Sequence, residues 1–124
     1  SKLPHKLKKV LKETVKKTKK NKKIFVNLAL NYGSKQELIN AFKKIKYKKI
    51  TENSIRNNLY TKNIPDPDIL VRTGGKKRLS NFMLWQLAYT ELYFLDKLWP
   101  DFMPIDLHKI LKHYYRTKRN FGAI

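Results

Sequence analysis

Apolar positions along this chain change their period several times, and each change marks a predicted element. Leu3, Leu7, Val10, Leu11 and Thr14 recur at helical spacing among lysines, which predicts an amphipathic helix over residues 3–19 with one packed face. Residues 19–23 are polar and break it. Ile24-Phe25-Val26-Asn27-Leu28-Ala29-Leu30 is then a near-continuous apolar run of strand length, the pattern of a strand covered on both faces, and Gly33 ends it. Ser34 and Glu37 have capping-box spacing ahead of Leu38, Ile39, Phe42 and Ile45, so a helix of about three turns is expected there. Thr51 is the candidate cap of a short helix carrying Ile55 and Leu59, and Pro65 and Pro67 exclude helix up to a second strand at roughly 68–72. A helix over 81–88 capped by Ser80, a third strand at Glu91-Leu92-Tyr93-Phe94 and a last helix complete the pattern. Pro104 opens that last helix, and Leu107, Ile110, Leu111 and Tyr114 form its stripe. Strands alternating with helices predict an α/β fold, a largely parallel sheet flanked by helices, in a single domain over residues 1–124.

Composition narrows the class. Apolar content of 41% and 15 aromatic residues support a real core, and no apolar run reaches the length of a membrane span or signal segment. Without cysteine there are no disulfides or thiolate metal sites, and His5, His108 and His113 are too scattered to suggest a histidine site. The net charge of +20 invites a nucleic-acid reading. It comes mostly from lysine, 24 against 5 arginines and alongside 10 asparagines, which points to composition bias at tolerant surface positions rather than to a nucleic-acid partner. Eleven lysines fall in the first 23 residues and suit peripheral contact with an anionic membrane surface, although a solvated helix face is the plainer account.

Candidate chemistry centres on Arg72-Thr73-Gly74-Gly75-Lys76-Lys77-Arg78-Leu79-Ser80. It follows a strand-like run and precedes a helix-like one, so a glycine turn, free N–H groups at a helix start and two arginines would together favour an anion, most naturally a diphosphate. It is neither a Walker loop nor a dinucleotide fingerprint, because the Gly-Lys-Ser/Thr ending and the third spaced glycine are missing.

The continuation is more specific. Ser80-Asn81-Phe82-Met83-Leu84-Trp85-Gln86-Leu87-Ala88-Tyr89-Thr90-Glu91-Leu92-Tyr93-Phe94 followed by Leu98-Trp99-Pro100-Asp101-Phe102 resembles the C-terminal signature of the cis-prenyltransferases, the family of bacterial undecaprenyl diphosphate synthase. Asn31-Tyr32-Gly33, the approach to Arg72 and Arg119-Asn120-Phe121-Gly122 agree with it. The resemblance implies that Arg72, Arg78, Leu79 and Ser80 hold the diphosphate of isopentenyl diphosphate. It also implies that Glu91 is the carboxylate for a Mg2+ cofactor, and that Ile24 lies toward the closed end of an apolar tunnel wall. The implied enzyme is a homodimeric, cytoplasmic, magnesium-dependent transferase. It condenses isopentenyl diphosphate with an allylic diphosphate of farnesyl type to a long-chain product such as undecaprenyl diphosphate, a carrier lipid of cell-wall synthesis. Trp85, Tyr89, Tyr93, Phe94 and Trp99 are expected in core and dimer packing.

The family's Met-Asp-Gly-Asn-Gly-Arg stretch, whose aspartate serves the allylic diphosphate, has no counterpart here. The chain therefore reads as a C-terminal segment, and alone it is expected to bind without transferring. Lys76 and Lys77 also depart from the family's usual glutamate-led pair, and Asn120 replaces a frequent second arginine. The competing expectations are a partner subunit or remnant that binds diphosphate without turnover and, further off, a basic nucleic-acid-binding module.

Overall fold

The structure, a computed structural model, describes residues 3–46 and 49–119, in two compact units of residues 1–32 and 33–124. The N-terminal unit contains helix α1, His5–Thr18, with Pro4 at its N-cap. No residue of α1 is buried: Leu11 is half-buried, while Leu7 and Val10 are exposed, so the expected packed face is mostly open. Residues 24–30 form no strand, which corrects the sequence expectation, and Ile24, Phe25 and Val26 are all more than three-quarters exposed. The reason is local. A strand needs a neighbour for its N–H and C=O groups, and the described part of this unit holds only α1 beside it.

The larger unit begins with α2, Ser34–Ile45. Its N-cap is Gly33, with no side-chain bond, so the Ser34/Glu37 capping box is not made. Ser34, Glu37, Ala41 and Ile45 form the buried stripe, at spacings of one helical face, whereas Ile39 and Phe42 are exposed. The helix is thus turned away from its most apolar side, because polar partners from residues 60, 84 and 86 engage Ser34 and Glu37. Helix α3, Glu52–Arg56, does have a reciprocal cap: Thr51 Oγ1 accepts from Ser54 N–H at 3.1 Å, and Ser54 Oγ accepts from Thr51 N–H at 2.8 Å. Ala41, Ile45, Ile55 and Leu59 make the core between α2 and α3, with Leu38 and Trp85 against it.

Strands β1, Ile69–Arg72, and β2, Glu91–Phe94, pair in parallel with Ile69 opposite Glu91 and Arg72 opposite Phe94. Residues 81–88, expected as a helix capped by Ser80, are a run of turns and bends, and Ser80, Asn81 and Met83 have φ of +50°, +63° and +46°. Left-handed backbone cannot continue a right-handed helix, and Ser80 is consequently no N-cap. After a 3-10 turn at Trp99–Asp101, helix α4, Pro104–Tyr114, starts on proline as expected, and Asp106 Oδ2 accepts from Met103 N–H at 2.8 Å. Ile110 is buried, Leu111 and Tyr114 are half-buried, and Leu107 is exposed. No helix among the described residues is long and apolar enough to cross a membrane.

Candidate functional site

The carboxyl end of β1 delivers Arg72 into a loop that turns on Gly74 and Gly75, with φ of +87° and +69°. Only glycine takes these angles without strain. The helix start expected to offer free N–H groups is not formed after Ser80, and the glycine amides of the loop are bonded: Gly74 N–H donates to Lys97 O and Gly75 N–H to Leu95 O, each at 2.9 Å, and Leu95 N–H donates to Arg72 O at 2.8 Å. The loop is therefore laced to the chain that leaves β2. These two amides are therefore not available to an anion.

Arg72 is held in a fixed position. Its Nη1 donates to Ser80 Oγ at 3.0 Å and to the carbonyl of Arg78, so one guanidinium gathers three of the four residues expected to bind diphosphate. Arg72, Arg78 and Leu79, with Leu70, Val71 and Phe82, line an open depression of about 240 Å³. Arg78, Lys76 and Lys77 are exposed, and Arg78 has no carboxylate partner among the described residues. The lining thus combines two arginines with four apolar side chains, Leu70, Val71, Leu79 and Phe82. The position, outside the carboxyl end of a parallel strand, is where open α/β sheets place ligands.

Behind this depression the turn segment is tied to α2. Asn81 O accepts from Ser34 N–H and Asn81 Oδ1 from Lys35 N–H, both at 2.8 Å, and Ser34 Oγ accepts from Leu84 N–H at 2.9 Å. Deeper, the buried Glu37 carboxylate accepts from Tyr60 N–H at 2.8 Å and from Gln86 Nε2 at 3.2 Å, and Gln86 Nε2 also reaches Thr61 Oγ1 at 2.9 Å. Sequence reasoning assigned none of this to Asn81, Ser34, Glu37 or Gln86. The one available signal was the tolerance of asparagine for left-handed backbone.

Glu91 is elsewhere. It opens β2 opposite Ile69, three register positions, or about 10 Å of strand rise, from Phe94, the partner of Arg72. Strand alternation also puts it on the face of Tyr93 rather than that of Phe94. Tyr93 OH lies 3.0 Å from His113 Nδ1, and burial, with the nearby Glu91 charge second, pushes the Tyr93 phenol up. Within the described chain Glu91 therefore does not converge with Arg72, and no three His, Asp or Glu side chains gather to hold a metal. Ile24 lies exposed in the extended run of the N-terminal unit. Of the expected aromatic packing, Trp85 meets the core and Tyr93 and Phe94 are half-buried, whereas Tyr89 and Trp99 are mostly exposed. Arg119 is described, but Asn120, Phe121 and Gly122 lie outside the described residues.

Fold and site together define an α/β protein with a depression, lined by arginine and apolar side chains, at the end of a parallel strand. The prenyltransferase family model, that of undecaprenyl diphosphate synthase, matches residues 1–122. The chain is 47% identical to the isoprenyl transferase of Oceanobacillus iheyensis, over 87% of this chain and 46% of that protein. It is 45% identical to the tritrans,polycis-undecaprenyl-diphosphate synthase (geranylgeranyl-diphosphate specific) of Picrophilus torridus, over 98% of this chain and 51% of that one. Among solved structures, a probable undecaprenyl diphosphate synthase from Campylobacter jejuni matches at 35% identity and a TM-score of 0.86, covering 98% of this chain and 58% of that one. Lavandulyl diphosphate synthase from Lavandula x intermedia, in complex with dimethylallyl diphosphate, matches at 37% identity and 0.90, covering 98% and 56%. The chain belongs to the undecaprenyl diphosphate synthase family of prenyltransferases. It spans about half the length of the curated relatives it matches.

Proposed function

We propose that this chain carries the isopentenyl diphosphate half of a cis-prenyltransferase that adds isopentenyl units to an allylic diphosphate to make a long-chain polyprenyl diphosphate. The supporting observation is that Arg72, Arg78 and Leu79 meet around one depression whose other lining side chains are apolar. Two guanidinium groups match diphosphate oxygens in planar forks, and the Leu70, Leu79 and Phe82 surface suits a five-carbon alkenyl group. Arg72, already turned by Ser80 and the Arg78 carbonyl, meets the anion with little further loss of side-chain freedom.

The chemistry joins the terminal alkene carbon of isopentenyl diphosphate to the allylic carbon of the second substrate as that substrate's C–O bond breaks and its diphosphate leaves with the electron pair. The carbon adjacent to the resulting cation then loses a proton to solvent, which forms the new double bond. This chain's part is to bind and orient the first reactant. Magnesium, when bound, would neutralise diphosphate charge. Few protein carboxylates would be needed to hold it. Glu91 is the carboxylate this reading assigns to it, but the separation of Glu91 from Arg72 means that these residues do not by themselves build that site. The 124-residue chain is expected to bind isopentenyl diphosphate without transferring a prenyl group. A second copy of the chain and an anionic bilayer surface remain its proposed partners.

Calorimetric titration of isopentenyl diphosphate into the chain tests the reading. Arg72→Ala and Arg78→Ala should each weaken binding about tenfold or more, as for loss of one charge-assisted contact. Equal affinity in all three proteins would sink the site.

A further inference from the structure

We infer that Asn81 is the positioning residue of the diphosphate site: by capping α2 from outside that helix, it sets the turn that holds Ser80 and, through Ser80, the Arg72 guanidinium. The ligand half of this inference rests on the reading proposed above.

Each of the two partners, helix and turn, has a need that its own residues do not meet. Helix α2 starts at Gly33, which has no side chain to accept a bond, and the first N–H groups of a helix lack partners within it. Asn81 meets two of them, with its backbone carbonyl at Ser34 N–H and its side-chain oxygen at Lys35 N–H. It therefore does from 46 residues away what an N-cap side chain does locally. The turn has its own need. Ser80, Asn81 and Met83 all occupy left-handed backbone, which persists in non-glycine residues only where surroundings over-determine it. The two bonds to α2, with the Leu84 N–H to Ser34 Oγ bond, are that determination. Ser80 is the residue immediately before Asn81, and its Oγ accepts from Arg72 Nη1. Rotating the Asn81 peptide out of its left-handed well would swing Ser80 and release the guanidinium. Gly33 lies close to the same side chain: a Cβ there would stand 2.9 Å from Asn81 Nδ2, so an alanine would push the Asn81 carboxamide aside. The turn therefore takes its shape from the N-terminal end of α2.

The test compares the 124-residue chain with Asn81→Gly, which keeps left-handed freedom and loses the cap oxygen, and Asn81→Asp, which keeps both. At a temperature where circular dichroism shows all three folded, two quantities are read: amide hydrogen exchange over residues 78–84, and the Kd for inorganic pyrophosphate and isopentenyl diphosphate. Asn81→Gly should speed exchange and raise Kd, each about tenfold, and Asn81→Asp should return both to within about threefold. A merely structural role would lower the melting temperature and leave the Kd of the folded protein alone. Unchanged exchange in Asn81→Gly overturns the inference whether or not either ligand binds, and faster exchange with unchanged Kd overturns its ligand half. Failure of the unsubstituted chain to bind either ligand overturns the diphosphate reading and the ligand half with it, while exchange still decides the positioning of the turn. Should Asn81→Gly not fold, Gly33→Ala, which displaces the same carboxamide, must speed the same exchange, and unchanged exchange there overturns the inference equally.

Discussion

Arg119 closes onto Asp68. Its Nη1 donates to Asp68 Oδ1 at 2.8 Å while Nη2 donates to Tyr89 O at 2.8 Å, and Tyr114 OH also donates to Asp68 Oδ1 at 3.1 Å. Asp68 precedes β1 and Tyr89 lies two residues before β2, and Glu91 N–H donates to Asp68 O at 3.0 Å. A residue near the chain's end thus pins both strands at the point where their register starts.

That clamp predicts acid sensitivity. The Arg119 bond first, and the Tyr114 bond second, hold the Asp68 carboxyl below its usual value of 3.8. A group depressed on folding contributes stability above its unfolded value and loses that contribution as pH falls through the folded one. Asp68 is largely solvated, so the effect is modest. Urea midpoints compared between pH 5 and pH 2 should fall less for Asp68→Asn than for the unsubstituted chain, and equal falls would remove the clamp from the account. Asp106, held low chiefly by Lys97, adds a second contribution of the same sign.

Glu37 and Gln86 make a buried pair whose weak point is Gln86 Oε1, which has no hydrogen-bond partner among the described residues. Glu37→Ala strips Tyr60 N–H and Gln86 Nε2 of an acceptor and should cost about 2–4 kcal/mol, from unsatisfied donors and a cavity together. Glu37→Gln should cost under about 1 kcal/mol, since inverting the Gln86 amide lets its orphan oxygen accept from the new amide. Denaturant melts decide between these outcomes. Similar losses in both variants would mean that the carboxylate's charge, rather than its hydrogen bonds, matters.

Gly74 and Gly75 separate two costs. Gly74→Ala meets nothing within 4 Å, so only its left-handed backbone is penalised, about 1 kcal/mol. Gly75→Ala adds a Cβ 3.3 Å from Asp96 Oδ1 and should lose more stability. Thermal melts of both variants check the order, and the reverse order would refute the loop geometry.

Glu91 and Tyr93 share a strand face, so the Glu91 charge helps keep the Tyr93 phenol neutral, after burial. Glu91→Gln should lower the Tyr93 pKa toward the ordinary tyrosine value, read by ultraviolet titration against Tyr93→Phe. No change would place Glu91 away from Tyr93.

Much of the fold was legible where local signals and tertiary demands agree. Thr51 and Ser54 cap α3, Pro104 opens α4, and the segments at 69–72 and 91–94, each three apolar or aromatic residues with one charged end, pair in parallel. Where they disagree, tertiary partners won. Ser34 and Glu37 have the spacing of a local cap, yet each turns to residues from the 60–86 stretch. Residues 81–88 look helical by apolar spacing, yet Asn81 and Met83 are left-handed, and Asn81 and Leu84 stitch the turn to α2. The run at 24–30 has strand composition and no ladder, because composition cannot supply a hydrogen-bonding neighbour.

The sequence by itself determined the family, the parallel α/β character and the identity of the cationic residues around Arg72, because motif, period and charge are local properties of a chain. Only the tertiary structure decided that the Gly74 and Gly75 amides are already bonded, that Arg72 is held by Ser80, that Glu91 lies at the other end of the ribbon, and that Asn81 caps α2. Those are statements about which distant groups satisfy one another's hydrogen bonds, and a buried or turn-bound polar group takes its partner from three-dimensional proximity rather than from spacing along the chain.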